Sequence, residues 1–436
     1  MLQTLRDAFK IKDLRRRIGY TFFMLIIVRL GSLLPVPGVN GSAFSSLFAN
    51  SDGALNFFDS ITGGSFSEMS VFALNITPYI TSSIIMQLLT IAFPKLEEMQ
   101  RDGETGRKKM TQITRYLTVG LALGESIAMA IAFGRSGYLV KFNALYVIMV
   151  VAALTAGSAV LMWIGERITE RGIGNGISIV LTINIVSRIP VDLANLKQQF
   201  MSGKTIPKAT LSGVVIAAII IALVVMVVIL QSAERRIPVQ YSNKIQGKRQ
   251  VGGASSVIPM KVNTAGVIPV IFAQSILQTP VMICSLLKVN GTGFWGKVLA
   301  GMSQNNWFNP NNWWYTIGAV VYILLIIGFA YFYTEITFNP LEIAENLKRS
   351  GGFIPGIRPG KPTSDYLTSI LRHIIFIGAV GLSIVAIMPI IFNGLFGASV
   401  SFGGTSIIII VGVIVETLKQ VESQMMVRNY KGFLND

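Results

Sequence analysis

The chain has 436 residues, 52% of them hydrophobic and 13% charged, with a net charge of +16. Soluble domains carry about 25% charged residues, so the composition excludes a string of soluble domains and points to one membrane-embedded bundle. A single cysteine, Cys284, and a single histidine, His373, exclude an intramolecular disulfide, a cysteine-based metal cluster and a histidine-rich metal site. No cofactor is implied.

From the N-terminus, Leu2, Leu5, Phe9 and Leu14 alternate with Arg6, Lys10, Lys12 and Arg15 to Arg17. No small-residue cleavage site follows, so 1–17 reads as an amphipathic helix on the cytoplasmic membrane surface, not a cleavable signal peptide. A helix rises 1.5 Å per residue, so about 20 mostly apolar residues cross a hydrocarbon core about 30 Å thick. Spans are therefore expected at 18–35, 75–93, 114–134, 144–164, 176–191, 211–230, 263–287, 314–333, 370–392 and 404–421. The clearest, Leu211 to Leu230, has no charge, and its Leu, Ile and Val residues favour insertion by about 4 to 8 kcal/mol. The weakest, 176–191, holds Asn184 and Arg188 and belongs inside the bundle.

With the N-terminus inside, 28 Lys and Arg fall in cytoplasmic segments and seven in external loops. That bias obeys the positive-inside rule and puts both termini in the cytoplasm. Trp295, Trp307, Trp313 and Trp314 are expected in an interfacial belt at the external edge. The external loop 36–74 is long and free of Lys and Arg, while the cytoplasmic loops 232–262 and 334–369 far exceed a simple bundle connection. Loops of that size on a rigid scaffold are where partners bind.

Ionisable residues at membrane depth are few: Arg29, Glu125, Arg188, His373 and Glu416. Arg29 and Glu416 lie near span ends, where snorkelling is the simplest expectation, and Glu125 is mid-span and expected to face the interior. Gly360-Lys361 is no P-loop, because Pro355 occupies the required glycine position and Pro362 follows the lysine. Gly172, Gly174 and Gly176 read as a tight turn into the next span. With no nucleophile–base set and no paired carboxylates, the chain is expected to be a conduit, not an enzyme. A secondary transporter is the main rival, and only Glu125 speaks for its midplane solute site.

Seven stretches together resemble the SecY family, the channel subunits of the bacterial protein translocase. They are Arg29-Leu-Gly with Pro35-Val-Pro-Gly38; Asn75-Ile-Thr-Pro-Tyr-Ile-Thr-Ser-Ser-Ile84 with Gln87-Leu-Leu; Glu170-Arg-Gly-Ile-Gly-Asn-Gly-Ile-Ser178; and Arg235-Arg-Ile-Pro-Val-Gln-Tyr241. Asn263-Thr-Ala-Gly-Val-Ile-Pro269, Phe353-Ile-Pro-Gly-Ile-Arg-Pro-Gly360 and Gly403-Gly-Thr-Ser406 complete the set, in the family's order. The resemblance implies an all-α polytopic fold of ten transmembrane helices in two inverted five-helix halves around an hourglass pore. Residues 1–17 would be a cytoplasmic segment, 18–191 the N-terminal half, 192–210 an external hinge, 211–421 the C-terminal half and 422–436 a cytoplasmic tail.

The resemblance also implies a mechanism, a channel for unfolded secretory polypeptides. The family's aliphatic pore ring maps to Ile76, Ile80, Leu181, Ile185, Ile271 and Ile409, with Val267 one turn from Ile271; ordinary core packing is the plain alternative. The tract Phe57 to Leu74, with Phe58, Gly63, Gly64, Phe66 and Met69, matches the family's plug helix. Each glycine there lowers helix stability by about 1 kcal/mol, which suits an element that must move. Gln87, Glu125 and Asn263 would form a polar cluster across the lateral gate, through which signal peptides and transmembrane segments reach the lipids. Arg235, Arg236, Tyr241, Lys244, Lys248, Arg249, Arg358 and Lys361 would dock the SecA motor ATPase or the ribosome, whose RNA phosphates suit basic loops. SecE and SecG are the implied small subunits, and the bacterial cytoplasmic membrane the implied location.

Overall fold

A computed structural model describes residues 9–41, 59, 62–200, 206–241, 244–246, 249–251, 255–286, 293–308, 313–396 and 404–432. Ten helices coincide with the ten expected spans. In the first half they are α1 (Lys12–Gly31), α2 (Thr77–Ala92), α4 (Gly103–Arg135), α5 (Ala144–Arg171) and α6 (Gly176–Phe200), with the short α3 (Pro94–Arg101) between α2 and α4. In the second half they are α7 (Ile206–Ser232), α8 (Ile268–Leu286), α10 (Ile317–Thr337), α12 (Lys361–Phe396) and α13 (Gly404–Gly432). The short α9 (Phe294–Met302) and α11 (Pro340–Arg349) lie between them.

Six of these helices (α4, α5, α6, α7, α10 and α12) are each long and apolar enough to cross a membrane, and α2 with α3, bent by 111°, makes a seventh. Of the other three, α1 carries Arg15 to Arg17 in its first turns, and α8 has an apolar stretch over Ile268–Gln278 among the described residues. The chain is a multi-pass membrane protein.

The cores divide at the middle of the chain. One cluster joins Val36, Phe66, Met69, Ala130, Phe133 and Leu154, and a second joins Met24, Val28, Ile76, Leu161 and Ile168, all within residues 24–180. The C-terminal half has its own core around Val227, Val270, Tyr322, Ile326, Val385 and Ile408, to which α6 contributes Leu196. Helix α6 also packs on α13 and α7, so it connects the two halves. A small cluster of Leu14, Ile173 and Val421 joins them again. Leu14 thus belongs to a helix that runs without a break into the first span, so at least residues 12–17 are not a separate surface element.

The all-helical expectation needs one correction. Loop 232–262 contains strands β1 (Glu234–Tyr241), β2 (Lys244–Gln246), β3 (Arg249–Val251) and β4 (Ser255–Lys261). β1 and β4 pair antiparallel with Ile237 opposite Ile258, and β5 (Gly352–Phe353), from loop 334–369, pairs with the end of β1 at Gln240 and Tyr241. The cause is period-two alternation: Ile237 and Val239 turn inward onto Met260, Ile354, Leu367 and Leu371, while Arg235, Arg236, Pro238 and Gln240 turn out. The two long loops are therefore one platform. Trp307 is a second departure. It is buried, leans on Tyr322 and donates its indole N–H to the Gly301 carbonyl at 2.7 Å, whereas Trp295, Trp313 and Trp314 are exposed.

Close helix packing sets the tolerance of the first half. A Cβ on Gly157 of α5 would lie 2.0 Å from the Val71 carbonyl oxygen, whereas one on Gly120 of α4 would meet nothing within 4 Å. Gly157→Ala is expected to destabilise the detergent-solubilised protein by roughly 1–3 kcal/mol, because backbone cannot yield. Gly120→Ala should leave the thermal midpoint level or slightly raised. Equal midpoints for the two variants would refute this packing.

Candidate functional site: an apolar constriction between two halves

Helix α6 runs along the site and shows its layers in order. At its start, Asn175, Ile177, Ser178 and Leu181 line a cavity of about 520 Å³. One turn on, Leu181 and Ile185 meet Ile80 from α2, Ile271 from α8, Ile409 from α13 and Val267 in one apolar cluster. Interleaved with and just beyond it, Asn184, Ser187 and Arg188 contact the tract 59–76. At 1.5 Å per residue, the layers occupy about 20 Å of helix. The constriction draws on both halves, and Ile185 and Ile409 are sealed from solvent.

Ile76 is the exception among the expected ring residues. It precedes the first residue of α2 and turns into the N-terminal core against Met24, Val28 and Leu161, so the helical i, i+4 relation to Ile80 does not carry it into the cluster. Ile84 continues the α2 stripe into the cavity wall.

The tract below the constriction is helical at Asp59 and Thr62 and leaves the helix from Gly63 on. Residues 63–76 form turns, with a bridge from Ser70 to Pro35 and positive φ at Gly63 (68°), Gly64 (87°), Met69 (45°) and Asn75 (53°). These angles interrupt any helical repeat. The glycines are there for geometry: a Cβ on Gly63 would sit 2.5 Å from the Asn184 carbonyl. Phe66 and Met69 are buried in the N-terminal core, and Val36 N–H donates to the Met69 carbonyl at 2.8 Å. Phe58 lies outside the described residues.

Polar contacts surround this tract. Asp59, fully buried, accepts from the Ser67 N–H at 2.7 Å and pairs with Arg188 at 2.7 Å. The Gly63 carbonyl accepts from Arg29 and from Ser187, each at 3.5 Å, and Asn184 donates to the Asn75 side chain at 3.1 Å. Arg29 therefore points at the tract. Charge at mid-depth was legible in the sequence at Arg188; its partner Asp59, 129 positions away in the chain, was not.

On the cavity side, Arg115 and Glu166 form a two-pronged pair at 2.9 Å that ties α4 to α5. Gln87 on α2 and Tyr333 on α10 line the same cavity from opposite halves, a juxtaposition that sequence reasoning missed. Gln87, Glu125 and Asn263 do not hydrogen-bond to one another in this conformation. Glu125 has no ion pair or hydrogen bond among the described residues, and the buried Asn263 Nδ2 has no partner there.

On the platform, Arg235, Arg236, Arg358 and Lys361 are exposed, with Arg236 paired to Glu234 at 2.8 Å. Tyr241 packs instead against Gly352 and the platform core. Lys244 and Arg249 lie on β2 and β3, and Lys248 falls outside the described residues.

Together these layers define a multi-spanning channel protein: two packed halves, an aliphatic constriction where they meet, a vestibule on one side and a folded tract on the other. The SecY family model matches residues 70–418. Protein translocase subunit SecY of Bacillus subtilis is 40% identical over 448 residues, covering 100% of both chains. That of Thermotoga maritima is 39% identical, covering 100% of this chain and 98% of its own. Among solved structures, a protein-conducting channel superposes with a TM-score of 0.66 at 18% identity, over 94% of this chain and 92% of that one. Sec61 in the canine ribosome–channel complex gives 0.60 at 17% identity, over 94% and 92%. The chain belongs to the SecY family of protein translocase subunits.

An aliphatic constriction blocks ions by excluding water. Ile80→Asn combined with Ile271→Asn should therefore raise the resting ion conductance of the reconstituted channel several-fold, while Ile148→Asn on the exposed face of α5 should not. Unchanged conductance in the double variant would remove the gate assignment.

Proposed function

We propose that this chain conducts unfolded secretory polypeptides across the bacterial cytoplasmic membrane and releases transmembrane segments sideways into lipid, with both termini in the cytoplasm. The observation that carries the reading is the aliphatic cluster of Ile80, Leu181, Ile185, Val267, Ile271 and Ile409, formed by both halves between a vestibule and the tract 59–76. Such a cluster can part around any side chain and binds none tightly, as passage of arbitrary sequences requires. In this reading the tract 57–74 is the plug and the α2–α10 juxtaposition of Gln87 and Tyr333 belongs to the lateral gate, with Glu125 and Asn263 left to form polar contacts when it moves. Ile76 supports the ring from the N-terminal core.

The chain supplies no energy and no catalysis in this account. Work comes from SecA or a translating ribosome, docked on the platform of β1, β4 and β5 through Arg235, Arg236, Arg358 and Lys361, with Lys244, Lys248 and Arg249 of the same loop as further docking residues. SecE and SecG are the expected small subunits. A ribosome fits the charge, because lysines and arginines displace counterions from RNA phosphates.

The test is reconstitution of the full chain with SecE, SecG, SecA, ATP and a secretory preprotein. The preprotein should become protease-protected in an ATP-dependent way, and Arg358→Glu with Lys361→Glu should weaken motor or ribosome binding more at low than at high salt. Absence of protected preprotein in the unsubstituted complex would sink the translocase reading.

A further inference from the structure

The geometry points to an ion-pair latch, Arg188 to Asp59, that tethers the tract below the constriction to the pore-lining helix and must break when the channel opens. The inference rests on the reading of this tract as the plug. It goes further by naming the bond that holds it.

Three observations carry it. First, the pair is buried and short: Asp59 is fully buried, Arg188 is 22% exposed at its side chain, and they meet at 2.7 Å. An isolated charge at such depth is costly, so each group needs the other. Second, the pair is built in on both sides. The second carboxylate oxygen of Asp59 accepts the Ser67 N–H at 2.7 Å, which closes the tract into a loop around Gly63 and Gly64. Arg188 lies three residues, nearly one helical turn, beyond Ile185 of the constriction. Third, neighbouring bonds pull the same way. Ser187 and Arg29 both donate to the Gly63 carbonyl, and Asn184 donates to Asn75 beside the start of α2. The tract is thus fastened to α6 at the level where α6 meets the other half.

The consequence is coupling. When the halves separate, Leu181 and Ile185 move with α6, and Arg188 moves with them. Displacing the tract separates Arg188 from Asp59 and frees a guanidinium on the far side of the constriction, where water and the passing chain can solvate it. Closure restores the pair. The latch therefore favours the shut state without any tight apolar contact on the route of the polypeptide.

The test uses the full channel complex with Cys284→Ser and a reporter at the buried Ser65, Ser65→Cys, labelled from outside by a membrane-impermeant thiol reagent. With the pair intact, labelling should be slow. Asp59→Asn, which keeps the side chain's volume, and Arg188→Gln should each speed labelling by about tenfold or more, as expected for losing one partner of a buried pair. The double variant should label no faster than the quicker single, since both remove the same bond. Arg188→Lys should stay slow, and it carries the test if Arg188→Gln fails to insert. Unchanged labelling in Asp59→Asn, or single effects that multiply in the double variant, would overturn the latch. Resting ion conductance is read on the same proteins. Faster labelling with unchanged conductance keeps the latch and overturns the plug reading on which the seal depends.

Discussion

The structure depends on a contact that is weak by design of its chemistry: aliphatic side chains from two separately packed halves meeting at one level. Most of each half's core is its own, and α6 adds Leu196 to the core of the C-terminal half. What joins them is the packing of α6 on α13 and α7, the Leu14 cluster and the constriction. Dispersion contacts among methyl groups are individually about 0.1–0.2 kcal/mol and have no preferred partner. A seal made of them can therefore reform after any sequence has passed.

Polar bonds are distributed around that seal, not through it. On the vestibule side, Arg115–Glu166 fixes α4 to α5 within the N-terminal half, and Gln87 and Tyr333 face one cavity from α2 and α10. On the other side, Asp59, Gly63 and Asn75 are held by Arg188, Ser187, Arg29 and Asn184. Directional bonds confer position, and the apolar layer between them confers tolerance. The single helix α6 presents all three layers within a few turns, which is why its sequence alternates residues that look ill-suited to a lone span.

Much of this was legible in the sequence because bilayer thickness imposes a length that apolar runs must match. That rule placed the helices of the bundle, and the positive-inside bias gave an orientation to expect. Elements governed by other physics were harder to read. The strands β1 and β4 hid in a loop whose charged residues masked the alternation of Ile237 and Val239. The turns at 63–76 were read as helix because positive φ at Met69 and Asn75 leaves no compositional trace, and Gly63 and Gly64 were read only as lowering helix stability. Ile76 obeyed helical spacing on paper but sits before the helix begins. Long-range pairs such as Arg188 with Asp59 are invisible without the fold, because nothing local in the chain links them.

The central claim, that polypeptide passes between the two halves at the aliphatic cluster, is tested most directly by crosslinking. A preprotein stalled during translocation and carrying one cysteine is offered channels with Cys284→Ser and either Ile271→Cys, in the constriction, or Leu145→Cys, on the exposed outer face of α5. The account predicts a disulfide to residue 271 and none to residue 145. No bond at 271, or equal bonds at both positions, would contradict it.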